Sequence, residues 1–275
     1  MKTLPVPTDH AERVALAFSR KAAEYDSFDD DHINLARMRS KVYDHVLRYL
    51  RPADRLLELN AGTGIDAAFF AARGQLVHAI DIAPGMIEHL TAKIDQQHLA
   101  DRLTVQTLSF TELDRVVGAP YDYVFSNFGG LNCIADLSLV TRHLTQVLRP
   151  GGIVTWVIMP RICPWEIALM LKGQFKIATR RWQRQGTLAH VEGVRFTTYY
   201  YTPQQVLTAL GPRFRLLRLE GLSVFAPPAD RMEFPQRHPR LYRALIGLDD
   251  VLAPHWPFNY WGDFFILTAQ AASHD

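Results

Sequence analysis

The sequence predicts an α/β fold built on a doubly wound parallel sheet with helices on both faces. Three observations carry this: apolar runs alternate with amphipathic helical patterns, a Gly-rich turn follows the first run, and the second run ends on a single acid. The stretch from Leu56 to Asp81 reads LLELNAGTGIDAAFFAARGQLVHAID. Its apolar run closes on Glu58, Leu59 and Asn60, turns through Ala61-Gly62-Thr63-Gly64, and resumes at helical spacing through Ile65, Ala68, Phe69 and Ala72. Such a unit presents bare backbone and helix N–H groups to a nucleoside-bearing ligand, and Asp81, closing the next run, is placed to accept ribose hydroxyls.

The other elements follow in order. Asp9 to about Arg20 is amphipathic, with Val14, Leu16, Ala17 and Phe18 as its apolar stripe, and Tyr25 to Asp31 is expected to loop. A firmer helix is expected from Ile33 to Leu50, burying Leu35, Met38, Val42, Val46, Leu47 and Leu50, and ending before Pro52. Pro84-Gly85-Met86 opens a helix carrying Ile87, Leu90 and Ile94 inward. Strands are expected at Leu103 to Leu108, Tyr121 to Ser126 and Ile153 to Met159, with a helix from Leu137 to Leu148 broken by Arg149-Pro150-Gly151-Gly152.

The pattern changes at Pro160. A helical stretch from Arg161 to Gly186 precedes a hairpin that turns at Glu192-Gly193 and runs on through Tyr201; in it Tyr200 faces away from Tyr199 and Tyr201. A helix from Pro203 to Leu210 and strands at Arg213 to Leu222 and Asp263 to Gln270 restore the core, making seven strands. The expected organisation is a helical cap over residues 1–51, a core over 52–160, a lid insertion over 161–202, and a return to the core over 203–275 with a second insertion at 223–262.

Composition narrows the class. Hydrophobic residues form 48% and charged ones 21% of the 275, which is ordinary for a globular chain, and a net charge of +2 argues against bulk binding of polyanions. Cys133 and Cys163 are too few for a disulfide framework or a thiolate zinc site, and suit a reducing compartment. The N-terminus lacks the apolar stretch of a signal peptide, and the longest apolar run, Ile153 to Met159, is far below the roughly 20 residues that span a bilayer. The expectation is a soluble, cytoplasmic protein.

Taken together, ELNAGTG, AIDIAPGMI, YDYVFSNFGGLN, the RPGG turn and the seven strands resemble the class I S-adenosylmethionine-dependent methyltransferases. The likeness is to the small-molecule superfamily with its ubiquinone-type and cyclopropane-synthase-like branches, and covers about Tyr25 to Met159. It implies a Rossmann-like sheet whose last strand is antiparallel, and S-adenosylmethionine over the strand ends. On that resemblance Glu58, Asn60, Ala61, Gly62 and Gly64 line the methionine and sulfonium portion, Asp81 holds the ribose, and Ile82 and Met86 pack near the adenine. Ser109 and Phe110 stand near the adenine amino group, and Asn127 and Phe128 near the methionine. Tyr25 and an arginine, Arg37 or Arg39, cap the cofactor, with Arg37 taken as the carboxylate partner. Asn60 replaces the first glycine of the family pattern, a substitution that Asn tolerates best in a left-handed turn. An acid is commoner where Ser109 stands.

Two other readings share the turn. Gly62 to Ala67 also fits Gly-x-Gly-x-x-Ala, the fingerprint of an NAD(P)-dependent oxidoreductase, and Asn60 is the best argument for a non-catalytic protein that kept the fold. Methyl transfer needs an in-line nucleophile, exclusion of water and, for a hydroxyl or ammonium, a base. Candidates for that base are His190, Tyr200 and His255, and candidates for contacting a small, apolar or aromatic acceptor are Asn132, Trp165 and Tyr199. No paired carboxylates, metal-ligand cluster or Asn/Asp-Pro-Pro-aromatic tetrad stands out, so methylation of DNA bases is not expected. Arg161 to Arg184 carries six basic residues against one acid, Glu166, with Trp165, Phe175 and Trp182 interleaved. That suits a peripheral membrane or RNA contact, and equally a lid helix with a solvated basic face.

Overall fold

The computed structural model describes residues 8–30 and 32–273, without the side chains of 27–30. The chain runs α1 (His10–Asp30), α2 (Ile33–Leu47), β1 (Arg55–Leu59), α3 (Ile65–Ala72), β2 (Leu76–Asp81), α4 (Pro84–Gln96), β3 (Leu103–Thr107), β4 (Tyr121–Ser126), α5 (Ser138–Val147) and β5 (Leu148–Ile158). The stretch that follows β5 holds α6 (Pro164–Ile167), α7 (Phe175–Ala178) and a hairpin of β6 (Thr187–Val191) and β7 (Val194–Thr198). After it come α8 (Pro203–Leu210), β8 (Phe214–Leu222), α9 (Phe234–Arg237), α10 (Pro239–Leu252) and β9 (Phe264–Ala271).

Seven strands form one Rossmann-like sheet in the order β3-β2-β1-β4-β5-β9-β8, in which β9 runs antiparallel to both neighbours. Parallel strands must be buried on both faces, and β1 shows how the sequence meets that demand. Leu57 and Leu59 join the apolar cluster on one face of the sheet, while Leu56 joins the cluster on the other. Among the described residues no helix is long and apolar enough to cross a membrane.

The structure corrects several boundaries. The expected loop from Tyr25 lies in α1, which stays helical to Asp30 because Asp26 accepts a hydrogen bond from Thr63 and pairs with Lys93 at 2.8 Å. Asp31 lies outside the described residues. The second helix stops at Leu47, which is exposed, and Leu35 is only half-buried. Pro150-Gly151-Gly152 does not separate helix from strand, since β5 begins at Leu148 and absorbs the irregularity through Gly151 at φ +74°. The long lid helix is instead a set of short turns, interrupted by Gly173 in a left-handed cap. The hairpin turns where expected but ends at Thr198, so Tyr199 to Tyr201 do not alternate along a strand: the Tyr199 N–H donates to the Asn132 carbonyl at 2.8 Å, and Tyr201 bridges to Pro160.

Two buried polar clusters hold the outer pieces to the sheet. In the first, hydroxyls step from Tyr123 to Thr155 (2.5 Å) and Thr268 (2.7 Å) to reach His45 Nε2 (2.8 Å), whose Nδ1 faces Glu220 at 3.4 Å. Burial lowers His45, so it is neutral at pH 7 and joins α2 to β8 by hydrogen bonds. In the second, Arg181 donates to Glu166 (2.8 Å) in the lid and to both the carbonyl and the carboxylate of Asp263 (2.8 Å each) beside β9. Arg180 adds two bonds to Glu166, of 2.8 and 2.6 Å.

Each cluster gives a measurable outcome. Burial opposes ionisation of Glu220, but the His45 hydrogen bond, with Lys41 and Arg218, carries its carboxyl down to about 2. Its contribution is therefore present above its ordinary value near 4.5 and lost as pH falls towards 2; Glu220→Gln should flatten the pH dependence of stability across that window in acid titrations followed by circular dichroism. Arg181→Met leaves the Asp263 carboxylate without its cation, while Glu166 keeps Arg180. It should cost about 3 kcal/mol, or a melting temperature lower by roughly 10 °C in calorimetry.

Candidate functional site

β1 and β2 are parallel neighbours, so the turn leaving β1 comes to lie beside the end of β2. The Gly62 N–H donates to Asp81 Oδ2 at 2.9 Å, the Ala83 N–H to Oδ1 at 2.8 Å, and the Ala61 N–H to the Ile80 carbonyl at 3.0 Å. Gly62 adopts φ +57°, which favours glycine. Gly64, at φ +78°, serves packing as well, because a Cβ there would fall 1.9 Å from Leu90 Cδ1 on α4.

Asn60 sits at φ +47°, and its side chain ties this turn to the one after β4. Ser126 Oγ donates to its Oδ1 at 2.6 Å, and its Nδ2 donates to the Asn127 carbonyl at 3.2 Å. Gly130 makes room for that amide, since a Cβ there would lie 2.1 Å from Asn60 Cγ. Behind Asn127, Asp66 collects bonds from Arg39, from the Tyr43 hydroxyl (2.6 Å) and from Asn127 Nδ2 (2.8 Å). Arg39 lies over the Phe128 ring, 4.9 Å from its centroid.

α1 roofs these turns and, with them, borders an open cleft whose empty space, solvent included, is about 820 Å³. Its floor is Asn60 to Thr63, with Asp66 and Asp81; one wall is Ile82, Ala83, Met86 and Phe110, and the other Phe128, Gly129, Gly130 and Cys133. Val14, Phe18 and Tyr25 reach in from α1. The helix is pinned by His10 Nε2 on the Cys133 carbonyl (2.6 Å), by the Gly85 N–H on Ser19 Oγ (3.2 Å) and by Arg20 on the Glu192 carbonyl (3.1 Å).

The electrostatics are one-sided. Burial, reinforced by Asp66, pushes the Glu58 carboxyl well above the usual range, and Glu58 Oε2 has no hydrogen-bond partner among the described residues. Burial also raises Asp81 despite the amides of Ala83 and Gly62. Ionising either group costs free energy that a neighbouring positive charge would offset. Cys133, pushed up to about 12 by burial, stays a thiol.

Residues 56–152 match a family model described as a methyltransferase domain. Curated relatives include a malonyl-[acyl-carrier protein] O-methyltransferase of Serratia marcescens, 30% identical over 54% of this chain and 52% of that protein. A ubiquinone/menaquinone biosynthesis C-methyltransferase of Teredinibacter turnerae is 31% identical over 52% of this chain and 58% of its own. Through this domain the chain is similar to the class I S-adenosylmethionine-dependent methyltransferases. It spans little more than half the length of these two relatives. The fold likeness extends further: a structure of an S-adenosylmethionine-dependent methyltransferase from Clostridium acetobutylicum aligns over 93% of this chain and 99% of its own, with a TM-score of 0.60 at 11% identity.

The cleft gathers Tyr25, Asn60, Ala61, Gly62, Asp81, Ile82, Met86, Phe110, Asn127 and Phe128 of the residues singled out from the sequence. Glu58 lies buried next to it in β1. Arg37 does not line it: its guanidinium donates to Ser223 (2.8 Å) and Asp249 (3.4 Å), and Arg39 stands in the cleft instead. Ser109 bonds Thr111 at 2.8 Å and is also outside. None of His190, Tyr200 and His255 lines the cleft; His190 and His255 are exposed, and Tyr200 is buried under Arg181. Asn132 is spent on backbone, donating to Tyr199 (2.6 Å) and Met159 (3.2 Å) carbonyls, while Trp165 donates to the Phe225 carbonyl at 3.0 Å. Tyr199 packs edge-on against His10.

Asp66, Thr63, Gly130 and Cys133 also line the cleft, and none of them was singled out from the sequence as a site residue. Val14 and Phe18 were visible only as an apolar stripe, because what a helix face covers is decided by its docking. The structure also brings Cys163, Glu166 and Asp263 together, with ligand atoms within 4.8 Å, where the sequence showed no metal-ligand cluster. Arg181 already occupies both carboxylates.

The Asn60–Gly130 contact predicts a compensating pair. Gly130→Ala alone should lower the melting temperature by several degrees, about 2 kcal/mol from overpacking, and adding Asn60→Gly should restore most of it in a double-mutant cycle.

Proposed function

We propose that the cleft binds S-adenosylmethionine and that the chain transfers its methyl group to a small, apolar or aromatic metabolite. The observation that carries this is the pairing of a nucleoside-shaped turn with buried carboxylates held above their ordinary range and without a cation at Glu58 Oε2. A ligand bearing a sulfonium and an ammonium supplies that charge. The pyrophosphate of a dinucleotide would set two more negative charges on the N-terminus of α3, beside Asp66 and Asp81, which disfavours the nicotinamide reading.

In this reading Asp81 keeps acceptor capacity for the ribose hydroxyls while its oxygens orient the Gly62 and Ala83 amides. Ile82, Met86 and Phe110 enclose the adenine, and Arg39, braced by Asp66, balances the methionine carboxylate in place of Arg37. Bound cofactor supplies an electrophilic methyl, so the residues must align an acceptor and exclude water. Val14, Phe18, Phe128 and Cys133 give the acceptor an apolar surround beneath α1. The proposed bases His190, Tyr200 and His255 lie elsewhere, which favours an acceptor that is already nucleophilic.

Calorimetry with S-adenosylmethionine and S-adenosylhomocysteine tests the reading, and no binding of either at high micromolar concentration would sink it. Asp81→Ala should weaken binding by about 10- to 100-fold, from loss of charged hydrogen bonds of ~1.5–3 kcal/mol. Arg39→Ala should weaken it about tenfold, and Arg37→Ala should leave it unchanged. A labelled-methyl screen of apolar and aromatic metabolites then identifies the acceptor.

A further inference from the structure

The two insertions carry most of the large apolar side chains that the molecule leaves in water. Of the fifteen exposed among the described residues, ten fall in residues 161–202 or 223–262. The insertions also touch one another: Trp165 donates to the Phe225 carbonyl and packs edge-on against Phe234, 5.3 Å between centroids.

Between residues 161 and 202 the exposed ones are Leu171 at 92%, Phe175 and Leu188 at 61% each, Trp182 at 47% and Ile177 at 42%. Three of the six basic residues in this stretch are already engaged, Arg180 and Arg181 by Glu166 and Arg161 by the Tyr200 carbonyl. Lys172, Lys176 and Arg184 have no ion pair among the described residues, and Glu166, the lone acid of the stretch, is consumed. The lid therefore offers apolar tips interleaved with free positive charge.

In the second insertion α10 is pinned from behind. Asp249 accepts the N–H groups of Val224, Phe225 and Ala226 at 2.8–3.2 Å, and Tyr242 is buried on the same element. The outward stripe is Leu241, Ala244, Leu248 and Val251, at helical spacing and all exposed. Arg240 and Arg243 flank it without ion pairs among the described residues, and Trp256, 80% exposed, follows its end. An apolar helix stripe edged by arginines and closed by a tryptophan has the make-up of a surface that lies in a lipid interface.

We propose that the insertion face of this protein docks peripherally on an anionic lipid bilayer, with the lid tips and the α10 stripe in the interface and the free lysines and arginines against the headgroups. Charge selects this occupant: the apolar groups on both insertions are flanked by unneutralised cations, whereas a second copy would bring the same cations face to face. The proposal is independent of what the cleft binds.

The full chain is sedimented with phosphatidylglycerol-containing and pure phosphatidylcholine vesicles at low and high salt. Binding to the anionic vesicles at least tenfold tighter than to the neutral ones, weakened by salt, is expected, with a blue shift of tryptophan emission as Trp182 and Trp256 leave water. Lys172→Gln with Lys176→Gln should weaken it about 25-fold, from ~1 kcal/mol per basic residue. Phe175→Ser with Trp182→Ser, and separately Leu241→Ser with Leu248→Ser, should each weaken it at least tenfold while melting temperature and cofactor titration stay as in the parent. Loss in only one apolar pair confines the docking surface to that insertion. No binding to anionic vesicles at low salt, binding indifferent to both apolar pairs, preferential binding of RNA over these vesicles, or a dimer in light scattering that both apolar pairs dissolve would each overturn it.

Discussion

A single carboxylate holds the site in shape. Asp81 closes β2 and accepts the N–H of Gly62, which belongs to the turn after β1, so the ends of two parallel strands are fastened together where a ligand must meet bare backbone. Burial works against that carboxylate, and two amide bonds only partly offset it. The cleft thus gathers the carboxyl groups of Asp81 and Asp66, with Glu58 close by, around one arginine, Arg39, in a poorly solvated place.

Side chains then relay position from that centre outward. Asn60 binds the turn after β4, Asn127 binds Asp66, and Asp66 holds both Arg39 and Tyr43 of α2. Asn60 is therefore a crosslink between two loops, with Gly130 hollowed out to receive it, and its presence in place of glycine does not mark a decayed site. Farther out, the Tyr123-to-Glu220 chain and the Arg181 cluster fix α2 and the lid to the sheet. The insertions are anchored on their inner side by Trp165, Arg181 and Asp249, and leave their outer side apolar and basic.

Much of this was legible in the residues because local chemistry fixes it. The turn Asn60 to Gly64 needs left-handed backbone that only Gly and Asn take readily, Asp81 falls at the end of an apolar run, and parallel strands buried on both faces read as continuous apolar segments. Arg37 and Arg39 show where legibility stops. They lie two positions apart on α2, on different sides of one helix, and only the docking of α10 through Asp249 on one side and of α3 through Asp66 on the other assigns them.

The sequence by itself determined the α/β class, the strand–turn–helix cradle and the acid at its rim. Period and turn chemistry act over a few residues, so they survive without knowledge of neighbours. Only the tertiary structure decided that α1 roofs the cleft, that His190, Tyr200 and His255 stay out of it, and that Asn60 and Gly130 share one space. Those facts depend on contacts between segments tens of residues apart, whose meeting is set by how the layers pack.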